Sequence, residues 1–153
     1  MTPEERLAQL GLVLPTPARP VATYVPYRIT GDLLYLSGQG PRQPDSSYSV
    51  GRLGRDTSVE QGYADAQLTG LHLLATAKEA LGELSRIESI VKVFGMVNAE
   101  PEFADHPKVI NGCSDLLVGV LGDAGRHARS AIGMGSLPNK MTVEIEIIMR
   151  IAP

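Results

Sequence analysis

The residues of this chain best suited to chemistry lie in its last quarter: Arg129, within HARSAIGM (127–134), and the run TVEIEII (142–148), which carries Glu144 and Glu146. Side chains alternate across a strand, so Glu144 and Glu146 are expected on one face with Thr142, and Val143, Ile145 and Ile147 on the other. An arginine fork grips a carboxylate through two parallel hydrogen bonds, and a glutamate can orient or deprotonate a water. Arg129 with Glu144 would therefore suit hydrolysis of a small acid. A purely structural reading stands beside it, because alternating glutamates often mark a solvated sheet face and a single arginine a surface charge. Glu146 next to Glu144 could push one pKa upward, or could instead pair with Arg150 or with a lysine of a second subunit.

The other reactive side chains give weaker signals. Cys113 is the only cysteine, so no intramolecular disulfide can form, and its apolar neighbours mark it as a small buried side chain. His127, beside Arg129, reads as a loop end or as a cleft residue. His106 belongs to a helix entry, and His72 falls on the polar side of a helix. Three histidines and one cysteine without ligand spacing argue against a metal site. GDAGRH (122–127) and GMGSLP (133–138) are read as turns, since neither follows the strand–loop–helix grammar of a phosphate loop.

The elements that must position these residues belong to one domain. A chain of 153 residues, 43% hydrophobic with a formal charge of −3, can bury one real core, and two would be cramped. No tryptophan, two phenylalanines and sixteen glycines predict an aliphatic core and many tight turns. A pI of 5.6 and scattered arginines without interleaved aromatics argue against nucleic-acid binding. No run approaches the ~18 apolar residues of a membrane span, and MTPEERLAQLGL lacks the grammar of a secretory leader, so a cytoplasmic protein without membrane contact is expected.

Thr2, Pro3 and Glu5 are ordered as a capping box for a short helix carrying Leu7, Leu10 and Leu12, and PTPARP (15–20) reads as an extended linker. Residues 1–20 are thus expected to be an extension and 21–153 the domain. YVPYRIT (24–30), a Gly31–Asp32 turn and LLYLSG (33–38) predict a hairpin. Thr57 with Glu60 predicts a second capping box opening a long helix that ends at Gly82. IESIVKVFGMVN (87–98) reads as a central strand covered on both faces. Pro107 opens another helix with a stripe through Val109, Cys113, Leu116, Leu117, Val120 and Leu121, and two strands close the chain. The order ββαβαββ predicts an α+β fold: a two-layer sandwich of one mixed sheet with two helices on one face. No segment remains for the other face, which predicts a symmetric homo-oligomer.

Several of these segments together resemble the Rid family, also called YjgF, of small enamine and imine deaminases: LYLSGQGP (34–41), VINGCSDLL (109–117), ARSAI (128–132), Leu137–Pro138 and VEIEII (143–148). The resemblance runs from about Tyr24 to the C-terminus and looks like a divergent branch with an N-terminal extension. It implies a chorismate mutase-like fold and a homotrimer with ligand clefts between subunits. It further implies that Arg129 grips a substrate carboxylate and Glu144 orients the attacking water, with Tyr24, Asn111, Ser37 and Gly38 lining the cleft.

The implied reaction is hydrolysis of a 2-imino or 2-enamino acid to a 2-oxo acid and ammonia, which needs neither metal nor cofactor. The chain departs from the family pattern at Ala131, often a cysteine, at His127, where a proline is usual, and in the position of Asn111, one residue further from Arg129. Two other functions stay open: a non-catalytic sensor of a small carboxylate metabolite, and an endoribonuclease, a label the family has carried.

Overall fold

A computed structural model describes all 153 residues. The first helix, α1 (Pro3–Gln9), starts on the expected capping box: the Glu5 amide donates to Thr2 Oγ1 at 3.1 Å and the Thr2 amide to Glu5 Oε2 at 2.7 Å. It ends at Gln9, short of Leu10 and Leu12 of the expected stripe; Leu7 is buried and Leu10 is exposed. The helix is moored to the rest of the chain, because Glu4 Oε1 accepts from the Leu84 amide at 2.8 Å and lies 3.5 Å from Lys78 Nζ.

The predicted hairpin forms as β1 (Tyr27–Thr30) and β2 (Leu33–Gln39) around Gly31, whose φ of 58° suits glycine. It begins at Tyr27 rather than Tyr24, since Pro26 lacks the N–H that would continue the ladder. The long helix, α2 (Val59–Leu81), is capped by Ser58 rather than Thr57: Ser58 Oγ accepts from the Gln61 amide at 3.1 Å, and Thr57 instead donates to Asp56. The expected box with Glu60 is therefore not made. Strand β3 (Ile87–Asn98), helix α3 (His106–Leu121), strand β4 (Ala128–Met134) and strand β5 (Val143–Ile151) complete the fold. No helix is long and apolar enough to cross a membrane.

The strands form one mixed sheet in the order β1-β2-β5-β3-β4, parallel only between β3 and β4, which α3 joins as a crossover. Both long helices cover one face. They approach closely where a Cβ on Gly112 of α3 would collide with the Tyr63 carbonyl of α2. Val143, Ile145 and Ile147 are buried beneath them, and the stripe of α3 is buried with Cys113. Thr142, expected beside Glu144, lies in a bend before β5, and its hydroxyl donates to Asp65 Oδ2 of α2 at 2.7 Å. Alternation starts only at Val143. His72, expected on a polar face, is 2% exposed, its Nε2 2.8 Å from the Arg42 carbonyl, and burial pushes its pKa down.

The opposite sheet face keeps Tyr35, Val91 and Ile132 exposed, with Phe94 and Ile148 half-buried. The two-sided cover expected for β3 is thus absent within one protomer. Arg150 pairs with Glu88 at 3.2 Å and Asp32 at 3.4 Å rather than with Glu146.

Candidate functional site

The candidate side chains fall into two groups. The first surrounds a cavity of about 300 Å³ that includes Tyr24, Ser37, Gly38 and Glu144 in its wall, together with Arg42 and Tyr48. The end of β2 and the segment before β1 meet there. Ser37 ties them, its hydroxyl donating to the Val25 carbonyl at 2.6 Å and its amide to the Pro26 carbonyl at 3.0 Å. Glu144 reaches the same place from β5. A Cβ on Gly38 would sit 2.9 Å from Glu144 Oε2, so glycine is what lets the carboxylate lie against the strand.

Glu144 is half-buried and has no cation within 4 Å. Burial pushes its pKa up, and the charge of Glu146 on the same face adds to the rise. A carboxylate held this way exchanges a proton closer to neutrality than an exposed one, as a general base requires.

The second group surrounds Arg129, on the edge strand β4. Its Nη1 donates to Asn111 Oδ1 at 2.8 Å and to Ser114 Oγ at 3.0 Å, both on α3. Ser114 Oγ is in turn 2.9 Å from His127 Nε2, and His127 Nδ1 is 2.6 Å from the Gly125 carbonyl. Asn111 and Ser114 are three apart on a helix and so share a face, a spacing through which Ser114 was visible in the sequence. Cys113, between them, points into the core, where burial pushes its thiol up to about 12 and leaves it inert as a nucleophile at neutral pH. His106 stacks edge-on against Phe103 and belongs to neither group.

Tyr24, Ser37, Gly38 and Glu144 therefore come together, and so do Arg129 and Asn111, but one protomer does not join the two groups. Arg129 is absent from the wall of the Glu144 cavity. The sequence reading missed Arg42 and Tyr48, which reach the cavity from an irregular segment with no periodic pattern, bridged to itself between Arg42 and Tyr48.

A model of the family described as "YjgF/chorismate_mutase-like, putative endoribonuclease" matches residues 4–146, including most of the N-terminal extension. Among solved structures, the protein Atu1372 of Agrobacterium tumefaciens is 44% identical with a TM-score of 0.91, over 99% of this chain and 94% of that one. A "putative endoribonuclease" of Shewanella oneidensis is 38% identical with a TM-score of 0.95, over 99% of this chain and all of that one. RidA of an Antarctic Psychrobacter is more distant, 26% identical with a TM-score of 0.60, over 89% of this chain and 94% of that one.

Proposed function

The chain belongs to the YjgF/chorismate mutase-like family, and from that membership we propose that it hydrolyses small 2-imino or 2-enamino acids to 2-oxo acids and ammonia, in clefts between the subunits of a homotrimer. The observation that carries this reading is the setting of Glu144: a half-buried carboxylate with no cation within 4 Å, facing a cavity, with its pKa pushed up by burial. The name RidA, borne by the Psychrobacter relative, points to the same branch of chemistry.

Arg129 of one subunit holds the substrate carboxylate, leaving the imine carbon beside Glu144 of the next. Water attacks that carbon as Glu144 takes its proton, and the C=N pair moves to nitrogen. Glu144 returns the proton to nitrogen to give the neutral carbinolamine, then carries the hydroxyl proton to the same nitrogen; the O–H pair forms the C=O bond as the C–N bond breaks, and the 2-oxo acid leaves with ammonia. The half-open sheet face, with Tyr35, Val91 and Ile132 exposed, supports the oligomer, since subunit contact would cover it.

The test generates 2-iminopropionate in place with an amino-acid oxidase and follows its loss. Acceleration by the wild type that disappears in Arg129→Ala and in Glu144→Gln is the expected result. Loss at the buffer rate in the presence of folded wild-type oligomer would sink the proposal. A carboxylate sensor is the competing reading, favoured by the independent bracing of Arg129; it predicts that Glu144→Gln leaves ligand binding intact with no turnover to lose.

A further inference from the structure

We propose that Ser114 and His127 are positioning residues for Arg129, holding its guanidinium so that the Nε/Nη2 edge is the one presented to a carboxylate. This rests on the reading that Arg129 binds the substrate carboxylate and deepens it. A guanidinium has five N–H donors, two of them on Nη1. Both Nη1 hydrogens are committed, to Asn111 Oδ1 and Ser114 Oγ. A bidentate fork needs two parallel N–H groups on adjacent nitrogens. With Nη1 occupied, only the Nε and Nη2 edge supplies them.

His127 sets the direction of this chain. The Gly125 carbonyl can only accept, so Nδ1 carries a ring proton; with the imidazole neutral, Nε2 is left to accept from the Ser114 hydroxyl. The hydroxyl proton is thereby committed to His127, and the Ser114 oxygen turns a lone pair to Arg129. Without His127 the hydroxyl would rotate freely, and one of the two restraints on Nη1 would loosen. The chain runs from α3 to the start of β4, so it also couples the arginine to the helix that carries Asn111.

The test measures pyruvate binding by calorimetry in the wild type, Ser114→Ala, His127→Ala, His127→Gln and Arg129→Ala, alongside KM and kcat for the imine. Loss of a hydrogen bond to a charged group should weaken pyruvate binding and raise KM about tenfold in Ser114→Ala and His127→Ala, with kcat changed less. His127→Gln, whose amide oxygen reaches the place of Nε2, should retain most of the affinity. Pyruvate binding unchanged in His127→Ala but lost in Arg129→Ala would overturn the inference. Binding without turnover in the wild type would defeat the deaminase reading alone, and the same series would still decide this one. Should the wild type not bind pyruvate, the nitrogen resonances of Arg129 decide: distinct Nη1 and Nη2 signals that merge in Ser114→Ala and His127→Ala support it, and signals unchanged by both substitutions overturn it.

Discussion

Arg129 and Glu144 stand on opposite faces of one sheet. Arg129 is in register with Val93, whose partner across β5 is the buried Ile147, while Glu144 is in register with Met96, whose partner on β4 is Ile132. Paired residues share a face, so the arginine belongs to the helix-covered side and the glutamate to the open side. If both act on one small substrate, as proposed above, two groups so placed would meet on it across a subunit boundary.

That relationship predicts complementation. Arg129→Ala and Glu144→Gln are each expected to be inactive as pure oligomers. After unfolding and refolding as an equal mixture, sites that take arginine from one subunit and glutamate from its neighbour are intact in roughly one case in four under random assembly. Activity near a quarter of wild type is expected from the mixture. A mixture as inactive as its components would place both residues of each site in one subunit.

The pKa of Glu144 gives a prediction with two signs. As a base it must be ionised, so the acidic limb of kcat/KM should lie above the ordinary glutamate range, and Glu146→Gln should move it down by removing the lesser of the two causes. For stability, a carboxyl whose pKa is raised on folding holds its proton more tightly in the folded state. Its contribution is complete below the unfolded value and is lost as pH rises through the folded one. Glu144→Gln should therefore raise Tm at pH 7 while leaving it nearly unchanged at about pH 4. Equal Tm shifts at the two pH values would contradict the assignment.

Gly38 offers a test of the cavity wall. Its φ is not positive, so alanine is tolerated by the backbone, but the new Cβ falls 2.9 Å from Glu144 Oε2 and the carboxylate must move. An ångström of misplacement can cost about a hundredfold in rate. Gly38→Ala is expected to lose one to two orders of magnitude in kcat with a small change in Tm; unchanged kcat would separate Glu144 from the reaction.

Much of this arrangement was legible in the sequence, and the failures share a cause. The run 87–98 is a strand over its whole length, and Thr2 and Glu5 cap α1 as their spacing requires, because both signals are local. The partition of Val143, Ile145 and Ile147 from Glu144 follows from alternation alone. Thr142 escaped because a bend precedes β5 and Asp65, 77 residues away, supplies its partner. His72 escaped because its cover comes from the Arg42 segment rather than from its own helix. The opposite facing of Arg129 and Glu144 is likewise set by how β4 and β5 register on β3, which no periodicity within either strand encodes.

The extension gives the last prediction. Leu7 is 4% exposed and belongs to the same hydrophobic cluster as Leu117 and Val120 of α3, and Arg6 of the same helix faces the Val120 carbonyl at 3.5 Å. Glu4 adds a charge-assisted bond to the Leu84 amide, which with Lys78 holds its pKa down against the opposing effect of burial. An appendage that merely trailed from the domain would show none of these contacts. Leu7→Ala should therefore cost about 2–4 kcal/mol in urea unfolding, as for other buried leucines. The loss should appear in a single cooperative transition, because the side chain fills the common core and not a separate one. A stability equal to wild type, or a separate early transition confined to the first helix, would show that residues 1–20 fold independently of the rest.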